Sequence, residues 1–145
     1  MAVSAGAPAG RVERRRRTLV VVAVGLVVAL LYASTLMLTI SGSGEEYCKD
    51  SGEFQVALAE WGTVHYTGYP LYMLLGSPFV AALRWVGVPP AAGASIYSMV
   101  WQLAAVMGLT ALLLRLTGHA LLSAGAGLAF ALLRPIWVHG AIPEV

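Results

Sequence analysis

A run of 23 uncharged residues, Thr18–Ile40, constrains this chain more than any other feature. At 1.5 Å per residue, a helix of this length extends about 35 Å, which exceeds the roughly 30 Å hydrocarbon core of a bilayer. A signal peptide has a shorter apolar region, roughly 7–15 residues, followed by a small-residue cleavage motif. The run is longer and no such motif follows it, so it predicts an uncleaved transmembrane helix over residues 18–40.

The composition and the charge distribution support a membrane protein. Hydrophobic residues make up 59% of the chain and charged residues 11%, whereas soluble domains carry roughly a quarter charged residues. Five of the nine basic residues lie in the first seventeen positions, directly before the apolar run. A nucleic-acid-binding arm has a similar composition, but the positive-inside rule explains basic residues beside a span better, so no nucleic acid partner is expected. Residues 1–17 are predicted to be a disordered cytoplasmic segment.

Two further uncharged stretches predict two more spans. No charged residue occurs between Arg84 and Arg115, and in the next stretch Gly125 and Gly127 allow close packing on a neighbouring helix. We predict the second span at residues 93–115, a tight cytoplasmic turn at 116–119, the third span at 120–138 and a short outer end at 139–145. The expected fold is an all-α, multi-pass protein of the plasma (inner) membrane, with three transmembrane helices and a cytoplasmic N-terminus.

The predicted outer loop, residues 41–92, is the most polar part of the chain. Six of the seven carboxylates lie on the outer side in this topology, and only Glu13 lies inside. Acidic residues contribute little to membrane topology, so this segregation indicates a functional surface that faces the exterior. A short helix with one apolar stripe is predicted from Asp50, and it would lie in the membrane interface.

A second helix is predicted in the same loop. Gly68 can adopt a positive φ, Tyr69 is expected to be extended because Pro70 follows it, and Pro70 can start a helix. The helix Leu71–Val86 is interrupted by a proline and is too short to cross the bilayer. We therefore predict an interfacial or re-entrant helix on the outer side.

Asp50 and Glu53 are the main candidates for chemistry, and two interpretations are open. Asp50 at the N-cap and Glu53 three residues later form a capping-box pattern, which would use both side chains structurally. Alternatively, a carboxylate fixed at the membrane surface suits a general base that accepts a proton from a substrate hydroxyl. No Cys/His metal spacing, phosphate-binding glycine loop or Ser-His-Asp arrangement is present. No metal ligand is therefore assigned, and no cofactor is expected within the chain.

Three blocks of sequence, in this order, resemble a known family. The chain reads D-S-G-E-F at Asp50–Phe54, H-Y-T-G-Y-P-L-Y at His65–Tyr72 and W-x6-E-V at Trp137–Val145. It resembles a bacterial family of GT-C-type membrane proteins that is related to a eukaryotic transmembrane protein O-mannosyltransferase. Members of that family typically read D-x-G-E-[FL], H-P-P-G-Y-P-L-Y and W-x6-E-V-Y-A-L. Tyr66 and Thr67 replace the two prolines of the second block, which loosens this loop.

The resemblance implies a GT-C-like fold and a glycosyltransferase activity. The enzyme would transfer a sugar, with mannose as the candidate, from a polyprenyl-phosphate donor to a protein or glycan hydroxyl on the outer face. By position Asp50 would be the base, and Glu53 would orient it or bind the acceptor. Glu144 would reach the same site, while His65 and Arg134 would meet the donor phosphate. Proteins of this family have more transmembrane helices, so the chain is expected to be an inactive fragment of a longer enzyme.

Competing explanations stay open for the binding residues and for the function. Tyr69, Tyr72 and Tyr97 are candidates for a sugar-binding surface, or they belong to an aromatic belt at the membrane interface. His65 could instead make a loop hydrogen bond, and Arg134 could extend to the interface. A transporter or flippase for lipid-linked glycans would place ionisable groups within the spans. A non-catalytic membrane scaffold is the third alternative.

The predicted orientation is testable through Cys48, the only cysteine in the chain, which lies in the predicted outer loop. In intact cells an impermeant maleimide should label Cys48, because the basic N-terminus is expected to stay inside. The Cys48→Ser variant controls for background labelling. Labelling that appears only after permeabilisation would contradict this orientation.

Overall fold

The computed structural model describes residues 8–41, 50–65 and 68–143, and all regular secondary structure within them is helical. The six helices are α1 (Pro8–Ala33), α2 (Ser51–Glu60), α3 (Pro70–Trp85), α4 (Pro90–Thr117), α5 (Ala120–Ala131) and α6 (Arg134–Ala141). The predicted all-α class is confirmed for these residues. By length and composition α1 and α4 could cross a membrane, and a bent pair formed by α5 and α6 could be a third span.

Helix α1 begins earlier than the sequence predicted. The basic segment is helical from Pro8 onward, so the prediction of disorder is wrong for residues 8–17. Arginine is a good helix former, and Arg17 Nε donates a hydrogen bond of 2.9 Å to the carboxylate of Glu13 one turn earlier. The basic residues therefore extend the first span as a continuous helix.

Helix α1 also ends earlier, at Ala33 rather than near Ile40. Directly after it, the hydroxyls of Ser34 and Thr35 donate hydrogen bonds to carbonyls three residues earlier, at 2.6 and 3.2 Å. Such bonds offer these carbonyls an alternative to helical N–H donors. The last part of the uncharged run is consequently not helical.

Helix α4 packs on each of the other helices. Gly25 of α1 packs against the Met107 side chain of α4, which would have to shift to accommodate a Cβ at position 25. Arg17, near the N-terminus of α1, and Arg115, near the C-terminus of α4, line the same groove. Helices α1 and α4 therefore run antiparallel. The second predicted span lies within α4, and Gly118, with a φ of 69°, ends the helix inside the predicted turn.

The contact between α4 and α5 depends on Gly127. This glycine faces the buried side chain of Thr110, and a Cβ at position 127 would collide with it. Thr110 Oγ1 donates to the Val106 carbonyl at 2.8 Å, which satisfies the hydroxyl inside the bundle. Gly127 thus packs closely, as predicted, whereas Gly125 faces open space.

The third predicted span is broken. Instead of one helix over residues 120–138, α5 ends at Ala131 and α6 begins at Arg134, with a bend of 68° between them. Pro135 explains the break, because it has no N–H to donate to the Ala131 carbonyl. That carbonyl accepts a hydrogen bond of 2.8 Å from Tyr32 Oη of α1 instead. The prediction of one unbroken helix here is wrong.

Tyr32 lies at the centre of the core that joins α1, α4 and the bent pair. Its ring is completely buried, and its centroid lies 6.5 Å from that of Trp137. Gly140 packs against the same ring, where a Cβ would collide with it. Trp137 Nε1 also donates to Thr35 Oγ1 at 2.9 Å, so α6 is fixed to the end of α1.

Helices α2 and α3 pack on the first half of α4 and form a second core. Its buried side chains include Phe54, Leu58, Val80, Ala94 and Tyr97. Helix α3 begins at Pro70, as predicted, and continues past Pro78, whose ring lies on the exposed side. Its 16 residues do not qualify as a candidate span, and its interfacial position stays a prediction.

We expect Tyr32→Phe to destabilise the junction of α1 with the bent pair. The variant keeps the buried ring but leaves the Ala131 carbonyl without a donor, which costs about 1–3 kcal/mol. Thermal unfolding in detergent micelles measures the loss. Tyr69→Phe, which removes a hydroxyl outside this junction, is the control, and equal melting temperatures for both variants would contradict the assignment.

Candidate functional site

Asp50 lies at the start of α2 and does not act as a helix cap. Its backbone is helical, with φ −99° and ψ −11°, and its side chain makes no capping hydrogen bond. An N-cap residue normally has extended backbone angles, which direct its side chain toward the N–H groups of the first turn. The capping-box interpretation is therefore wrong, and the Asp50 carboxylate is left for another role.

The turn after α2 brings His65 back to Glu53. Trp61 is left-handed, with φ 56°, and the Gly62 N–H donates to the Ala57 carbonyl at 2.8 Å, which ends the helix. The His65 N–H then lies 2.5 Å from Glu53 Oε1, and His65 Nδ1 lies 3.0 Å from Glu53 Oε2. One carboxylate thus holds both the backbone and the ring of His65.

This contact changes the ionisation of both groups. The hydrogen bond with the His65 ring is the main cause that lowers the pKa of Glu53 below 4.5, and the backbone hydrogen bond adds to it. The same side-chain bond raises the pKa of His65 above 6.5, and the charges of Glu53 and Asp50 contribute further. The His65 side chain is 31% exposed and the Glu53 side chain 41% exposed. Solvent screens such a pair, so the contact fixes the position of the His65 ring more than it stabilises the fold.

Asp50, Glu53 and His65 form one cluster, called here the acid–histidine cluster. One oxygen or nitrogen from each side chain lies within 4.8 Å of those of the other two. Two carboxylates and an imidazole suit a divalent metal ion, so these residues could hold one. Their spacing in the sequence did not indicate a metal site. Without a cation, Glu53 orients His65 while Asp50 faces the same site.

Gln55, which sequence reasoning missed, holds α2 against the chain that leaves α1. Its amide is buried, accepts a hydrogen bond from the Ser41 N–H at 2.9 Å and donates one to the Thr39 carbonyl at 3.1 Å. Gly52 lies against the Ser41 carbonyl, where a Cβ would collide. These contacts fix the helix that carries Asp50. A polar residue on the apolar side of an amphipathic helix was the available signal.

Aromatic rings lie beside the acid–histidine cluster. The centroid of Phe54 is 6.4 Å from His65, 5.5 Å from Tyr69 and 5.5 Å from Tyr72. Tyr69 is left-handed, with φ 37° and ψ 57°, so the prediction of an extended residue before Pro70 is wrong. A non-glycine residue in this conformation is strained, and the ring contacts of Tyr69 with Phe54 and His65 accompany it.

The row of rings continues into a cleft of about 370 Å³ between α3, α4 and α6, called here the aromatic cleft. Its lining residues are Leu71, Tyr72, Tyr97, Ser98, Trp101, Gln102 and His139. Tyr72 Oη lies 2.7 Å from Ser98 Oγ, and burial raises the pKa of Tyr72 to about 12. Tyr97 Oη donates to the Tyr72 carbonyl at 3.1 Å. The cleft therefore combines aromatic faces with neutral hydrogen-bonding groups.

Sequence reasoning assigned Tyr72 to this site but missed Ser98, Trp101, Gln102 and His139. The first three lie within about one turn of α4, inside an otherwise apolar span. Polar residues at such positions commonly mark a functional site, and this was the available signal. His139 reaches the cleft because the chain bends between α5 and α6. No local sequence pattern therefore indicates that His139 belongs to this cleft.

Two further predicted site residues are Arg134 and Glu144. Arg134 is the first residue of α6, and this helix packs on α1, α4 and α5 but not on α2 or α3. Glu144 lies outside the described residues, as does Cys48. Their predicted roles therefore stay predictions.

Residues 50–145 match the family described as the Protein O-mannosyl-transferase TMEM260 N-terminal domain. The chain belongs to this family. No curated protein and no solved structure matches the chain.

The matched region begins at Asp50 and contains both the acid–histidine cluster and the aromatic cleft. Membership in this family of O-mannosyltransferase N-terminal domains indicates a protein O-mannosyltransferase-like glycosyltransferase. The relation to the eukaryotic O-mannosyltransferase, which the sequence blocks predicted, is confirmed. Helix α1 precedes the matched region.

The ionisation of the acid–histidine cluster can be measured by NMR titration of labelled histidine side chains. The His65 pKa should lie above 6.5 and should fall toward that value in Glu53→Gln, which removes the carboxylate charge. The stabilisation from His65 is complete below pH 6.5 and is lost as the pH rises through its raised pKa. The Glu53 contribution is complete above pH 4.5 and is lost as the pH falls through its lowered pKa.

The Glu60→Gln variant, which changes an exposed carboxylate at the other end of α2, is the control for this titration. His65→Gln assigns the resonance among the three histidines of the chain. A His65 pKa that is the same in the wild type and in Glu53→Gln would contradict the ion pair.

Proposed function

We propose that this chain carries the acceptor-activating site of a membrane glycosyltransferase. The enzyme transfers a sugar, with mannose as the candidate, from a polyprenyl-phosphate donor to a hydroxyl of a protein or glycan acceptor. The reaction takes place on the outer face of the plasma membrane, and the fold of the whole enzyme is GT-C-like. Membrane lipid, the lipid-linked donor and the acceptor are its partners.

The observation that carries this proposal is the convergence of Asp50, Glu53 and His65 in a member of an O-mannosyltransferase family. Glu53 is bound to His65, whereas Asp50 makes no capping bond and shares the site. In the proposed mechanism Asp50 accepts the proton of the acceptor hydroxyl while the hydroxyl oxygen attacks the anomeric carbon of the donor sugar. The bond between that carbon and the phosphate oxygen breaks, and polyprenyl phosphate leaves. Glu53 raises the pKa of His65 and fixes its ring beside this base.

The donor is proposed to lie between the acid–histidine cluster and the aromatic cleft. Protonated His65 is a suitable partner for the donor phosphate, and its raised pKa keeps more of it charged near neutral pH. Tyr69 and Tyr72 present aromatic faces next to it, which suit the apolar face of a sugar ring. Arg134, at the start of α6, and Glu144 remain proposed contributors to donor binding.

The role of Asp50 is tested with Asp50→Asn and Asp50→Ala in the full-length protein in membranes. Both variants remove the proton acceptor, so transfer from polyprenyl-phosphate mannose should fall by roughly 10²–10⁴-fold. Because Asp50 is not a helix cap, both variants should leave the melting temperature nearly unchanged. Glu60→Gln, on the same helix, should retain full activity.

The outcomes distinguish the alternatives. Transfer that survives Asp50→Asn would remove Asp50 as the base and leave Glu53 as the next candidate. Transfer that is lost with a chelator and restored by a divalent cation would assign the acid–histidine cluster to metal binding. Wild-type protein that moves a lipid-linked glycan across the bilayer without transferring its sugar would support a flippase instead.

A further inference from the structure

A groove of about 740 Å³ runs between α1 and α4, at the end of the bundle where both helices carry arginines. The residues that line it include Arg14, Arg17, Thr18, Val21, Met107, Ala111, Leu114 and Arg115. It shares no lining residue with the acid–histidine cluster or the aromatic cleft. The proposed glycosyl transfer therefore leaves it without a role.

The charge at the mouth of this groove is positive. Arg14, Arg17 and Arg115 line it, and the only carboxylate among its lining residues is Glu13, which is bonded to Arg17 at 2.9 Å. Arg14 and Arg115 come from different helices, and both are exposed. Guanidinium groups that converge from two sides favour a phosphate group, to which each can donate two hydrogen bonds.

The lining changes from charged to apolar along both helices. On α1 the arginines are followed by Thr18 and then Val21, and on α4 Arg115 is followed, toward the bundle centre, by Ala111 and Met107. The distance from Arg115 to Met107 along a helix is about 12 Å, which accommodates a substantial part of an acyl chain. A phospholipid has this same order of groups, with its phosphate at the surface and its chain below.

We propose that this groove binds one anionic phospholipid. Its phosphate lies between Arg14, Arg17 and Arg115, and one acyl chain lies along the apolar surface beside Met107 and Ala111. The site differs from general attraction of a basic segment to a membrane, because Arg15 and Arg16 are equally charged and exposed but do not line the groove. Basic pockets between transmembrane helices are suited to such headgroups.

The test measures binding of phosphatidylglycerol to the full chain in detergent micelles by native mass spectrometry, with phosphatidylcholine as the neutral lipid. In Arg14→Gln/Arg115→Gln the phosphatidylglycerol affinity should fall by about fivefold for each arginine, or roughly 25-fold in total. Arg15→Gln/Arg16→Gln removes the same charge from α1 outside the groove and should bind nearly as the wild type does. Equal losses in the two double variants would overturn the site in favour of nonspecific attraction.

A second variant tests the acyl part. Ala111→Phe keeps every arginine but fills the groove, so binding of long-chain phosphatidylglycerol should fall at least tenfold. Unchanged binding by Ala111→Phe would overturn the proposal, and this variant decides the question if the arginine variant loses helicity by circular dichroism. Displacement of the lipid by millimolar inorganic phosphate would show that the groove binds a free anion, not a lipid. Glycosyl transfer is not measured, so the result is independent of the proposed enzyme activity.

Discussion

The buried Tyr32 hydroxyl donates a hydrogen bond to the Ala131 carbonyl, which Pro135 deprives of its helical N–H donor. Inside a bilayer there is little water to satisfy such a carbonyl, so the donor has to come from another helix. This bond stabilises the break after α5. Together with the Trp137–Thr35 bond it holds α6 against α1, in the position where His139 lines the aromatic cleft.

The sequence predicted the helices well and their ends poorly. The two candidate spans, the turn at Gly118 and the start of α3 at Pro70 follow from uncharged length and from proline and glycine chemistry, which are local properties. The break in the third span depends on Pro135, which was visible in the sequence, but its stabilisation requires Tyr32, 99 residues earlier. Local periodicity contains no information about such a partner.

The sequence predicted which residues form the site but did not decide between their possible roles. The D-S-G-E-F and H-Y-T-G-Y-P-L-Y blocks indicated that Asp50, Glu53 and His65 act together, and the structure places them within 4.8 Å of one another. Spacing alone favoured a helix cap for the two acids, because a capping box and an acidic pair have the same pattern. Only the backbone angles at Asp50 and the contact of Glu53 with His65 separate these interpretations.

Helix α4 connects two regions with different chemistry. It is uninterrupted over 28 residues, lines the aromatic cleft in its first half and carries Arg115 near its end. Gly25 of α1 packs against the Met107 side chain between these two regions. Because one unbroken helix lines both the aromatic cleft and the arginine-lined groove, a displacement of α4 along its axis would move residues of both.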